Sequence, residues 1–73
     1  QNKRSKYTLE IAFGIDRNFL FGCGVASASI LLNNREFSCE FHVFTDYISD
    51  NDKLFFSDLA ILYNSRFYIY VIN

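Results

Sequence analysis

The chain has 73 residues, of which 51% are hydrophobic and 19% aromatic, and seven Lys and Arg stand against eight Asp and Glu. That length allows one small domain, and so short a chain buries only about 60% of the surface its unfolded form exposes. A net charge of −1 excludes a global pull toward nucleic acid, so no nucleic-acid partner is expected, while the aromatic load suits a piece of something larger whose apolar faces are covered elsewhere.

Residues 1–6, QNKRSK, are polar. Lys3, Arg4 and Lys6 make them a basic, solvated tail, with room for peripheral contact with an anionic membrane surface. Residues 7–73 form the domain segment. Residues 7–14, YTLEIAFG, read as a strand, since Thr, Ile and Phe favour it and Gly14 punctuates its end. Residues 18–33 read as a helix. Phe19, Cys23, Ala26 and Ile30 recur at helical spacing, and Val25, Ala28 and Leu32 fill the adjacent stripe. This helix is apolar almost all round, which predicts burial. Gly22 and Gly24 each cost roughly 1 kcal/mol in a helix interior, so they belong near the first turn or where another backbone comes close. The stretch from Phe19 to Leu32 is too short and too mixed to span a bilayer.

Asn33 and Asn34 suit a helix end, because Asn tolerates the left-handed conformation a C-cap often needs. Residues 37–45, FSCEFHVFT, read as the next strand, with Phe37, Cys39, Phe41 and Val43 on one face and Ser38, Glu40, His42 and Phe44 on the other. A second helix follows over 49–64, SDNDKLFFSDLAILYN. Ser49 is its expected N-cap, with Asp52 in the capping-box position, and Asp50 and Asp52 complement the helix dipole. Phe55, Leu59 and Leu62 share a face, and Asn64 closes the helix. Residues 66–72, RFYIYVI, are apolar or aromatic on both faces, the pattern of a strand buried on two sides. The order β-α-β-α-β predicts an α/β fold with a parallel sheet and right-handed crossovers.

Cys23 and Cys39 lack CxxC spacing and read as buried, reduced thiols of a cytosolic protein. His42, mid-strand and without partners at recognisable spacing, reads as a structural histidine. The aspartates of SDND read as helix caps, because the loop lacks the glycine and distal glutamate of an EF-hand. GCG at 22–24 lacks the third glycine of a dinucleotide fingerprint, and there is no GxxxxGK[ST] loop.

In an open parallel sheet, ligands sit beyond the carboxyl ends of the strands. Those ends are 14–19, 45–47 and 73, and the first is the richest. Asp16 can accept from a base N–H or a ribose hydroxyl, Asn18 can donate and accept, and Phe19 offers a flat face for stacking. A turn with a helix N-cap uses the same residue types, and residue chemistry alone leaves both readings open. Asp46, after the second strand, reads as a turn residue that can also line this crevice.

The runs IAFGIDRNFLFGCGVASASILLNN, FHVFTDYISDNDK and RFYIYVIN together resemble the opening of the glycosyltransferase family 8 enzymes. Within that family they resemble the bacterial lipopolysaccharide core 1,2-glucosyltransferase and 1,3-galactosyltransferase group. The resemblance covers nearly the whole chain from Leu9 onward. It implies a Rossmann-like GT-A nucleotide-binding domain and a retaining hexosyltransferase. The enzyme would use UDP-glucose or UDP-galactose as donor and the lipopolysaccharide core as acceptor, in the cytoplasm or at the inner face of the inner membrane. It also implies nucleotide-binding roles. Gly14 lets the nucleoside approach the backbone, Asp16 bonds the uracil, Asn18 fixes base or ribose, and Phe19 stacks on the base. Phe19 keeps the flat face and lacks the hydroxyl of those relatives that carry Tyr.

The Mn²⁺ or Mg²⁺ of the family is held by a DxD motif that belongs downstream. This segment is therefore expected to carry no catalytic or metal residue and to be inactive alone. The alternative is a non-catalytic α/β interaction module that self-associates through its apolar surface. Self-association is expected of the isolated segment in either case, because a sheet edge and apolar helix faces lie open.

Overall fold

A computed structural model describes residues 7–72. The basic tail expected at 1–6 lies outside the described residues, as does Asn73. The elements are β1 (Thr8–Gly14), a 3-10 turn (Arg17–Phe19), α1 (Leu20–Asn33), β2 (Ser38–Thr45), α2 (Asp50–Tyr63) and β3 (Arg66–Val71). The strands form one sheet in the order β1-β2-β3. Both pairings are parallel, and the register places Phe13 beside Val43 and Val43 beside Ile69. The β-α-β-α-β order and the parallel sheet expected from the sequence are both present.

Side chains alternate across the pleat. The odd-numbered residues of β1, β2 and β3 turn toward the helices, and they form two adjoining clusters. Leu20, Cys23, Val43 and Phe56 centre one, and Leu31, Cys39 and Phe41 centre the other. Phe41 and Val43 on the central strand are 0% exposed. Phe41 stacks on Phe67 with ring centroids 4.8 Å apart. Burial pushes the thiols of Cys23 and Cys39 above their ordinary range, with a Ser27 hydrogen bond partly opposing this at Cys23. Both thiols are free and buried, as expected, and both stay protonated near neutral pH.

Five sequence expectations are corrected. The first helix begins at Leu20 rather than residue 18, and Phe19 sits at its N-cap with φ −110 and ψ 11. Its buried stripe is accordingly Leu20, Cys23, Gly24, Ser27 and Leu31, not Phe19, Cys23, Ala26 and Ile30. An apolar-only reading misses this stripe because two of its members are Gly and Ser. Ser27 is 0% exposed and satisfies its hydroxyl by donating to the Cys23 carbonyl at 2.8 Å. The outer face of α1, with Phe21, Val25 and Leu32, is exposed, against the expected all-round burial. On α2 the buried residue is Phe56, with Phe55 and Leu59 partly buried, while Leu62 is exposed. On β3 no residue is buried, because it is an edge strand and only one face of the sheet carries helices.

Gly24 lies where the two helices meet, as close packing requires. A Cβ there would stand 2.3 and 2.5 Å from the Phe55 ring, so a side chain rather than a backbone demands the glycine. At Gly22 a Cβ would meet nothing within 4 Å. Ser49 and Asp52 form the expected capping box, each bond 3.1 Å long. Asn64 closes α2 in the left-handed region with φ 52. Among the described residues no helix is long and apolar enough to cross a membrane.

Candidate functional site

Beyond Gly14 the chain stays in the sheet for one more residue, where the Ile15 N–H donates to the Phe44 carbonyl at 2.9 Å. It then leaves the sheet and tightens into the 3-10 turn. Asp16 is extended, with φ −92 and ψ 173, and its Oδ1 accepts from the Asn18 N–H at 2.8 Å. The Phe19 N–H donates to the Asp16 carbonyl at 3.0 Å. Asp16 therefore does cap a turn, which is one of the two roles its chemistry allows. The cap uses only Oδ1. No hydrogen bond to Oδ2 of Asp16, or to the side-chain amide of Asn18, is present among the described residues.

The turn presents all four predicted positions at the carboxyl end of the sheet. Asp16, Asn18 and Phe19 are exposed, and Phe19 keeps 62% of its surface in solvent. An exposed phenylalanine beside a half-free carboxylate and a free amide offers a stacking face with hydrogen-bonding groups next to it. Gly14 is the last residue of β1, and a Cβ there would touch nothing within 4 Å. The open space beside it is what a close approach to the backbone needs.

Sequence reasoning missed the contact between this turn and β2. Asp46 Oδ1 accepts the backbone N–H of Arg17 at 2.8 Å. Its Oδ2 accepts Nε at 3.1 Å and Nη2 at 2.9 Å. The guanidinium also lies 4.8 Å from the centroid of the Tyr47 ring, within cation–π range. Hydrogen bonds from the Arg17 side chain hold the Asp46 carboxyl below its ordinary range. The signal was present: opposite charges follow the ends of two strands that pair in parallel. Asp46 ties the turn after β1 to the end of β2, a role beyond that of a turn residue.

His42 has the hydrogen-bonded environment expected, on the sheet face without helices. Its Nδ1 lies 3.0 Å from the Tyr70 hydroxyl, and its ring stacks on Tyr68 with centroids 5.1 Å apart. Nε2 lies 3.3 Å from Glu10 Oε1, yet has no aligned hydrogen-bond partner, so this contact is electrostatic and attractive once the ring is protonated. Glu10, Glu40 and His42 place their ligating atoms within 4.8 Å of one another. Strand pairing, not sequence spacing, gathers them, because Glu10 is the register partner of Glu40.

The divalent cation implied by the family resemblance does not fit the crevice carboxylates. Both oxygens of Asp46 are engaged by Arg17, and Asp16 offers one free oxygen. The letters Asp50, Asn51 and Asp52 spell D-x-D, but Asp52 is committed to the capping box and Asp50 sits opposite Lys53. The Glu10 group lies about 13 Å back along β1 from Gly14, at 3.3 Å per residue.

Residues 10–73 match the model of glycosyl transferase family 8. The chain is 52% identical over 65 residues to the lipopolysaccharide glucosyltransferase WaaO of Escherichia coli, covering 89% of this chain and 19% of that protein. It is 51% identical over 63 residues to the lipopolysaccharide 1,3-galactosyltransferase of Salmonella typhimurium, covering 86% and 19%. It is 38% identical over 61 residues to an Escherichia coli lipopolysaccharide 1,2-glucosyltransferase, covering 84% and 17%. The chain thus spans about a fifth of the length of the curated relatives it matches. No solved structure matches it. With a family match running from Glu10 to the last residue on a parallel β-α-β-α-β sheet, the chain belongs to glycosyl transferase family 8.

Proposed function

We propose that this chain is the nucleotide-binding N-terminal segment of a retaining hexosyltransferase. The parent enzyme transfers glucose or galactose from a UDP-sugar to the lipopolysaccharide core, in the cytoplasm or peripherally at the inner membrane face. The observation that carries this is the turn after β1. Asp16, Asn18 and Phe19 stand exposed together at the carboxyl end of a parallel sheet, where ligands bind in open α/β folds. Identity above 50% to a lipopolysaccharide glucosyltransferase and a 1,3-galactosyltransferase supports the reaction class. In this reading Asp16 Oδ2 and the Asn18 amide meet the polar edge of uridine, Phe19 supports its face, and Gly14 leaves the backbone open. The parent's Mn²⁺ or Mg²⁺ would neutralise the leaving diphosphate, held by residues beyond this segment, and the segment alone is inactive. The test is thermal stabilisation of the full-length protein. UDP-glucose or UDP-galactose should raise the melting temperature and GDP-mannose should not; equal response to all three contradicts a uridine site.

A second reading, self-association of the isolated segment, rests on the helix-free sheet face. There His42, Phe44, Tyr68 and Tyr70 form a stacked aromatic ladder, of which Phe44, Tyr68 and Tyr70 are exposed.

A further inference from the structure

The turn that carries Asp16, Asn18 and Phe19 is fixed by three backbone N–H bonds. Two are internal, from Asn18 to the Asp16 side chain and from Phe19 to the Asp16 carbonyl. They set the shape of the turn but not its direction. The third, from Arg17 to Asp46, crosses 29 positions of sequence to the end of β2. The Arg17 side chain repeats that crossing with a fork of two bonds to the other Asp46 oxygen, and Tyr47 backs the guanidinium. Past Ile15 no other hydrogen bond ties the turn to the sheet among the described residues. An exposed ion pair by itself contributes little to stability. This one sets two guanidinium donors on one carboxylate oxygen, adds a backbone donor to the other and rests on an aromatic face, so its geometric consequence exceeds its energetic one.

We propose that the Arg17–Asp46 clamp is a positioning device for the nucleotide, which holds the Asp16–Asn18–Phe19 turn at one fixed angle to the sheet before the ligand arrives. Neither residue needs to touch the nucleotide. The clamp removes the ordering of the turn from the cost of binding, and misplacing a contact group by an ångström is enough to weaken a site. This rests on the uridine reading of the turn.

The test measures UDP affinity by calorimetry on the full-length protein, with melting temperature in parallel. Asp46→Ala removes every bond of the clamp and should weaken UDP binding about five- to tenfold. Asp46→Asn keeps an acceptor for the Arg17 N–H, and Arg17→Ala keeps the backbone donor, so each should cost only about two- to threefold. Asp46→Asn carries the test if the alanine variant does not fold. Lowered melting temperatures with unchanged UDP affinity would make the clamp merely structural and overturn the proposal. Asp16→Ala, measured alongside, separates the two ideas. If it weakens UDP binding and the Asp46 variants do not, only the clamp is refuted. If Asp16→Ala has no effect, the uridine reading falls and the clamp's role falls with it.

Discussion

Asp46 and Arg17 meet at the crevice with opposite charges, and hydrogen bonds from the Arg17 side chain lower the Asp46 pKa in the folded chain. The unfolded reference is about 3.9. A carboxyl with a depressed folded value contributes stability that is fully present above the unfolded value and is lost as pH falls through the folded one. The clamp therefore persists throughout the neutral and mildly acidic range and opens only below the ordinary aspartate range. Carboxyl carbon shifts followed by NMR should give Asp46 a midpoint below about 3.9; a midpoint at or above that value contradicts the pairing. Asp16 illustrates how far residue chemistry reaches on its own. Capping and ligand binding both ask for a short side chain with an accepting oxygen at the end of a strand. The structure shows the cap made by one oxygen, with the other left free, and the two roles do not exclude each other.

The elements were legible to different depths. Strand alternation in β2 was read correctly, since Cys39, Phe41 and Val43 are buried and Ser38, Glu40, His42 and Phe44 are less so. Both ends of α2 were also legible, because Ser49, Asp52 and Asn64 act through local bonds. The faces of the helices were legible in part, since Cys23, Ile30, Phe55 and Leu59 do pack on the core. Which stripe packs depends on the partner surface, and in α1 it runs through Gly24 and Ser27, which no hydrophobic count selects. The Glu10, Glu40 and His42 group was illegible for a similar reason, since strand register alone brings it together, while the Arg17–Asp46 contact left a signal that shows only once the two strands are paired in parallel.

The two helix glycines turn this into a measurement. Gly22→Ala should stabilise the chain by roughly 0.5–1 kcal/mol through helix propensity, because a Cβ there meets nothing. Gly24→Ala has the same propensity gain but drives a methyl into the Phe55 ring, which itself stacks on Phe21 at 5.5 Å. Overpacking of that kind costs typically 1–3 kcal/mol, so the net effect should be destabilising. Urea unfolding of both variants decides it, and equal stabilisation by both would contradict the helix interface. Ser49→Ala should cost about 1 kcal/mol in the same assay by removing the capping box, and a neutral outcome would contradict that cap.

As a whole, the molecule is a sheet with helices on one side. The aromatic content that seemed excessive for 73 residues is divided between the core and two open surfaces, the outer face of α1 and the helix-free sheet face. Apolar patches of this kind mark surfaces that are normally covered, which agrees with a chain spanning about a fifth of its relatives. Among the described residues β1 and β3 are also unpaired along their outer edges, a geometry that invites pairing with another chain. Sedimentation of the isolated segment at high micromolar concentration should therefore show dimers or larger species. Tyr70→Glu, which places a charge in the ladder, should weaken association about tenfold. A clean monomer across that range would contradict the exposed-face account.

The central claim is that the turn after β1 receives the uridine of a nucleotide sugar. Titration calorimetry of UDP into the full-length protein, wild type against Asp16→Ala, tests it most directly. The account predicts a loss of about 1–3 kcal/mol in binding free energy, the usual cost of leaving a polar partner unpaired. Unchanged UDP affinity in the Asp16→Ala variant would contradict it.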